Sequence, residues 1–207
     1  MTLGKVIRSF ASAGTVPVGL AVVGNSLWEM NSEADTLYER DLRDGSILRT
    51  LTLTIGVPQG LCFDGRGFWV VDGDNDKVNL YDPRDGTLVR QIAAPGTNSQ
   101  GPAWDGRTLW VSDTVTGLIY QLDPRTGAIL HTFASHVLSP QGPAIDGHNL
   151  WVINFGTTAA YQLDIRDGAI IRTFATPGAA AQALVHDGRT LWVYDSGTDT
   201  IYQISLQ

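Results

Sequence analysis

The stretch GRTLWVSDTVTGLIYQLDPRTGAIL, residues 106–130, recurs with substitutions along the whole chain. Its tryptophan is the marker. Trp28, Trp69, Trp110, Trp151 and Trp192 follow one another at steps of 41 residues, and only Trp104 stands outside the series. Gly4, Gly45, Gly86, Gly127 and Gly168 keep the same step. A fixed period of this length marks a repeat architecture, in which each unit buries its apolar face against its neighbours. The units run 4–44, 45–85, 86–126, 127–167 and 168–207, without insertions, as one domain over 1–207.

Each unit reads as four short strands with turn signals between them. In the second unit these are PQGLCFD, GFWVVD, KVNLYD and TLVRQIA. Asp64-Gly65 separates the first two and recurs as Asp105-Gly106, Asp146-Gly147 and Asp187-Gly188. Glycine accepts positive φ there without strain, which makes the dipeptide a hairpin signal. DPRDG, DPRTG or DIRDG separates the third strand from the fourth in the same way. No apolar 3.6-residue period runs for three turns, so no helix is expected.

Four strands per unit of about 40 residues predict a β-propeller, and five units predict five blades. The ends of the chain predict how the ring closes. GKVIRSFA at the start matches the fourth strand of other units, GAILHTFA and GAIIRTFA, and IYQISLQ at the end matches a third strand. Residues 5–11 should therefore supply the outermost strand of the last blade, whose inner three strands lie within 181–206. The fourth strand of every blade is an exposed edge. Arg8, Arg49, Arg90, His131 and Arg172 place a basic side chain there, which would discourage pairing with another chain.

Composition narrows the function classes. The 207 residues are 43% apolar and carry 14 basic and 21 acidic side chains, for a net charge of −7. That balance argues against nucleic acid and anionic membrane surfaces as partners. The single cysteine, Cys62, excludes an intramolecular disulfide and a zinc site of several cysteines. No run is long and apolar enough for a signal peptide or a membrane span, so the default expectation is a cytoplasmic monomer.

Features that repeat in every blade are best explained by the fold. The five tryptophans should fill the wedges between blades. Tyr38, Tyr120, Tyr161 and Tyr202 repeat in the third strand as packing residues, with Asn79 breaking the series. Asn31, Asp72, Asp113, Asn154 and Asp195 suit the turn leaving a strand, where their oxygens accept local backbone N–H bonds. Near the start of the innermost strand stand Gln59, Gln100, Gln141 and Gln182, with Val18 in the fifth place. Four amides around one axis could line a channel mouth and hold a polar neutral ligand such as a sugar or an amide. Alternatively, each amide satisfies backbone groups of the adjacent blade.

Function should show in departures from symmetry. The first two blades carry acids in their loops, Glu29, Glu33 and Asp35, then Asp72, Asp74 and Asp76. The run DGDNDK opens like a calcium loop but has Lys77 and Pro83 where an EF-hand needs glycine and glutamate, which leaves a shorter calcium site or a solvated hairpin tip. The third and fourth blades carry His136, Val137, Leu138 and Phe155, an exposed apolar patch for a protein partner if these lie together, or a cover for the channel mouth. His186 takes the innermost-strand position held elsewhere by Val22, Phe63, Trp104 and Ile145. No Ser–His–Asp set, nucleophile elbow or phosphate loop can be assembled.

PQGLCFDGRGFWVVDGDNDKVNLYDPRDGTLVRQI resembles the blades of NHL and YVTN-type propellers and of gluconolactonase-type enzymes, which implies the fold far more strongly than any activity. LAVVGNSLWEMNSEADTLYERDLRDGSIL, residues 20–48, resembles a segment of the plant and bacterial type of glutaminyl cyclotransferase, a five-bladed family. The shared elements are Trp28-Glu29 and Gln59-Gly60-Leu61, with Val18 in place of that family's glutamine. The resemblance nominates Glu29 as an acid–base group. Three functions follow: a non-enzymatic binding or interaction scaffold with its site over the channel, an enzyme of cyclotransferase-like or lyase-like type, and a recently amplified or engineered ring without a specific ligand.

Overall fold

The computed structural model describes residues 4–154 and 157–207, and among them there are twenty strands and no helix. After β1 (Val6–Ala11), the chain lays down four strands per blade. The first blade holds β2 (Pro17–Val23), β3 (Ser26–Asn31), β4 (Thr36–Asp41) and β5 (Ile47–Thr52). The second holds β6 (Pro58–Phe63), β7 (Phe68–Asp72), β8 (Lys77–Tyr81) and β9 (Leu88–Ala93). The third holds β10 (Ser99–Trp104), β11 (Leu109–Asp113), β12 (Leu118–Leu122) and β13 (Ile129–Ala134). The fourth holds β14 (Pro140–Ile145), β15 (Asn149–Asn154), β16 (Ala159–Asp164) and β17 (Ile170–Ala175). The fifth holds β18 (Ala181–His186), β19 (Thr190–Asp195) and β20 (Thr200–Ser205), and its fourth strand is β1. β1 pairs antiparallel with β20, Phe10 opposite Ile201 and Ser9 opposite Tyr202, so the ring closes as the ends of the sequence predict.

The cores lie between blades, as wedges. Each takes a tryptophan from one blade and the side chains at three fixed positions of the next. Trp110 packs with Leu150, Val152 and Leu163, and Trp69 packs with Leu109, Val111 and Leu122. All five repeated tryptophans are buried. In four blades the indole N–H donates to the hairpin aspartate five residues earlier, Trp69 to Asp64 and Trp110 to Asp105 at 2.8 Å, Trp151 to Asp146 at 2.6 Å and Trp192 to Asp187 at 2.9 Å. The aspartate of the Asp-Gly turn thus also fixes the core indole, and in the first blade Val23 stands at its position.

The basic residues of the outer strands have a role beyond blunting an edge. Arg8 donates to Leu42 O, Arg49 to Pro83 O, Arg90 to Pro124 O and Arg172 to Leu206 O, and His131 Nε2 lies 2.9 Å from Arg166 O. Each side chain therefore staples its blade to a backbone carbonyl that follows the third strand of the next one around the ring.

Candidate functional site

The five inner strands, β2, β6, β10, β14 and β18, surround the axis. Their starts and the loops between blades face one end, here the upper end. The Asp-Gly hairpins and the turns from third to fourth strand face the lower end. The inner strands approach one another backbone to backbone. A Cβ on Gly19 would sit 2.4 Å from Leu61 N, and one on Gly60 would sit 2.3 Å from Gly101 Cα. Gly60 has φ +128° and each inner strand is bulged beside this position. A bulge kinks the strand and re-aims the neighbouring side chain. Glycine in four blades, and Ala183 in the fifth, thus keeps the channel narrow, and the residue just before this position lines the mouth.

Those residues are Val18, Gln59, Gln100, Gln141 and Gln182. The four amides and Val18 meet, together with Val16, around a cavity of about 130 Å³ at the upper mouth. The amides are half-buried, and among the described residues none of them makes a side-chain hydrogen bond. The alternative sequence reading gave each amide a backbone partner in the adjacent blade. Below this mouth Leu20, Leu61 and Leu184 are buried along the channel wall. The lower mouth is a separate cavity of about 120 Å³, lined at its rim by Val22, Phe63, Trp104, Ile145 and His186. Burial lowers the pKa of His186, and its Nδ1 accepts a 3.3 Å bond from Gly188 N–H.

Charge is divided between the two ends. Glu33, Asp35, Asp72, Asp74, Asp76, Asp113, Asp195 and Asp199 stand at the upper end against one basic residue, Lys77. These eight acids and one lysine sum to −7, so the upper end carries the net charge and the rest of the molecule is balanced. Burial and the charge of Asp72 raise the pKa of Asp35.

The other nominated residues lie elsewhere. Glu29 is completely buried and does not line the mouth. It is paired with Arg40 at 2.7 Å and accepts the N–H groups of Ala13 and Gly14. Asp72, Asp74 and Asp76 do not gather around one point. Asp72 is buried and accepts from Gly56 N, Asn75 and Asn79, whereas Asp74 and Asp76 are exposed on the hairpin tip. Among the described residues no three His, Cys, Asp or Glu side chains converge as a metal set. The expected apolar face is also divided. Val137 is buried in the core beside Phe133, while His136 and Leu138 are exposed. Phe155 lies outside the described residues. Of the five-residue ring, Asn31, Asp113 and Asp195 accept N–H groups two or three residues on, as turn residues should; Asp72 accepts instead from Gly56 N and two asparagine amides, and Asn154 makes no such bond among the described residues. Sequence reasoning missed the second bond of this ring, in which Asp113 Oδ2 accepts from Asn98 N and Asp195 Oδ2 from Ala180 N. These bonds tie each hairpin to the loop arriving from the blade before.

No protein-family model matches the chain, and no curated protein matches it in sequence. Its fold is similar to solved structures. The glutaminyl cyclase of Myxococcus xanthus superposes with a TM-score of 0.85 at 12% identity, over 99% of this chain and 96% of that one. Virginiamycin B lyase from Staphylococcus aureus gives 0.58 at 18% identity, over 95% and 68%. The WD40 β-propeller domain of Doa1 gives 0.60 at 13% identity, over 91% and 63%. At these identities the similarity concerns the fold, which all these proteins share in its blade architecture.

Proposed function

We propose that this protein is a non-enzymatic binding module whose upper mouth holds a small, polar, uncharged ligand. The observation that carries this reading is the convergence on one cavity of four carboxamides that have no side-chain hydrogen-bond partner among the described residues. Each amide offers two donors and an acceptor, so the ring can satisfy a sugar or primary amide from several sides. The apolar Val16 and Val18 complete the wall. The acidic collar repels anions, and no acid or base lines the cavity to move a proton. Glu29, which could have served, is sealed into an ion pair.

The test is a melting screen with neutral sugars and small primary amides. A ligand at 100 times its Kd stabilises by about 2.7 kcal/mol, which for a chain this size raises the melt by roughly 5–10 °C. Gln100→Leu and Gln141→Leu should remove the shift. A panel without any shift, or a shift that survives both substitutions, overturns the proposal.

The end-to-end superposition on a glutaminyl cyclase favours a second reading, cyclisation of an N-terminal glutamine with release of ammonia. Incubation with a glutaminyl peptide and mass spectrometry separates the two readings. Turnover that Glu29→Gln abolishes would favour the enzyme.

A further inference from the structure

The seam between the second and third blades opens at the lower end into a groove of about 610 Å³. That volume falls within the roughly 300–1,000 Å³ of ordinary ligand pockets. Three departures from the repeat meet there. The first is Leu80, on β8, where the other blades carry Glu39, Gln121, Gln162 and Gln203. In the first and fourth blades that residue accepts a bond from the arginine of the outer strand, Arg49 to Glu39 at 3.3 Å and Arg172 to Gln162 at 2.7 Å. Leucine cannot accept. Arg90 accordingly keeps one described bond, from Nη1 to Pro124 O at 3.3 Å, and its Nε and Nη2 have no described acceptor.

The second departure is Trp104, the tryptophan outside the series. Like Leu80 it packs against the core of this seam and lines the groove; it is only half-buried, and its indole N–H has no described partner. The third is the state of the charges. Arg66 and Arg125 are exposed on the groove, and Arg125 lies 3.9 Å from Asp123, beyond hydrogen-bond reach. The two carboxylates of the lining are already engaged, Asp64 by Trp69 and the backbone of its own turn, Asp82 by Arg84. The groove thus offers guanidinium and indole donors without a free carboxylate among the described residues, and it is lined by Leu80, Val89 and an indole ring.

We propose that this groove is a second ligand site, separate from the upper mouth, that takes an aromatic carboxylate. The carboxylate would accept from Arg90, whose planar fork matches its two oxygens. The aromatic body would lie on Trp104 and Leu80, burying apolar area beside the guanidinium. The neighbouring groove, between the third and fourth blades, has Gln121 and His131 at the positions of Leu80 and Arg90, and so lacks both the apolar floor and the unpaired fork.

The experiment is calorimetric titration of the full chain with 2-naphthoate and, separately, with the neutral 2-naphthamide. Naphthoate should bind at least tenfold more tightly than naphthamide. Leu80→Gln, which restores the residue of the third, fourth and fifth blades, should weaken naphthoate at least tenfold at an unchanged melting temperature. Arg90→Gln, on an exposed strand, should weaken naphthoate at least tenfold as well, with a small loss of stability from the missing bond to Pro124 O. No binding of naphthoate, equal binding of the amide, or full binding by both variants would overturn the proposal.

Discussion

Across the seam between the third and fourth blades, Trp110 meets Leu150, Val152 and Leu163. Across the seam between the fifth and the first, Trp192 meets Leu27, but the next two positions of the trio are Glu29 and Arg40. Both charged side chains are buried, and they pair at 2.7 Å. Arg40 also donates to Ala11 O and Gly45 O and lies over the Phe10 ring, while Glu29 accepts from Ala13 and Gly14. Every one of these outside contacts except Gly45 belongs to β1 or the residues just after it. Ser12, in the same segment, donates its N–H to Asp199 O and its hydroxyl to the Asp199 carboxylate, which Tyr194 also reaches at 3.2 Å. Burial, followed by the charge of Asp199, raises the pKa of that tyrosine.

The contrast has a physical reason. In four blades the outer strand is bound to its neighbour by a short covalent turn. In the fifth blade β1 comes from the other end of the chain and is held without a covalent turn, by its hydrogen bonds to β20 and by Phe10 packed against Trp192. Burying charge is costly, and a buried pair is often no more stabilising than well-packed aliphatics. What the pair adds is contact with the entering segment, through its bonds to Ala11, Ala13 and Gly14 and its place over Phe10.

The sharpest way to break this comparison is to remove one partner. Glu29→Ala leaves a buried guanidinium uncompensated and should cost about 3–5 kcal/mol in denaturant unfolding. Trp110→Ala, at an aliphatic seam, should cost a similar amount, about 3–5 kcal/mol, through its cavity. The double replacement Glu29→Val with Arg40→Leu, which copies the third and fourth blades, should come within about 2 kcal/mol of the parent. A double variant as damaged as the single one would show that the closing seam cannot be converted to the aliphatic kind.

A smaller effect tests the bond that four blades share. Burial alone would raise the Asp105 carboxyl, but bonds from Thr108, Trp110 and Arg107 outweigh it and hold its pKa below the usual range. Asp105→Ala should cost about 1–3 kcal/mol, by leaving buried donors unpaired. Because the folded pKa is depressed, this stability is present above the unfolded value near 3.9 and is lost as pH falls through the folded pKa. A parent and variant that lose stability equally below about pH 4 would contradict that assignment.

The smallest expected effect concerns the lower mouth. Burial depresses the pKa of His186, so protonation favours the unfolded chain. Stability should therefore fall as pH drops below about 6.5, toward the folded pKa. His186→Ile, which copies Ile145 in the fourth blade, should flatten the melting temperature between about pH 7 and 5 relative to the parent. A parent profile already flat across that window would remove His186 from the account.

How much was legible depends on how local the cause is. Strand, turn and blade number follow from patterns within one repeat, since Asp64-Gly65 makes its hairpin and Trp69 its core contact from a few residues' spacing. The bond from Trp69 to Asp64 was readable in principle, because a tight hairpin always brings those two positions together. The amide ring was legible too, since equivalent positions in a closed ring must share one height around the axis. The staple from Arg49 to Pro83 O was not, because the acceptor lies on another blade and a carbonyl leaves no trace in residue identity. Glu29 shows the same limit. Its type and its neighbour Trp28 suggest an acid for catalysis, and only the packing of β1 against the first blade reveals an ion pair.

The sequence by itself therefore determined the five-bladed ring, the strands of each blade and the strand that closes it. Hydrophobic alternation and turn chemistry act over a few residues and repeat every 41. The tertiary structure decided which polar groups remain unpaired, because that depends on what the next blade brings within about 3 Å of them. It left the four amides open at the upper mouth and Arg90 open beside Trp104, and it closed Glu29 against Arg40.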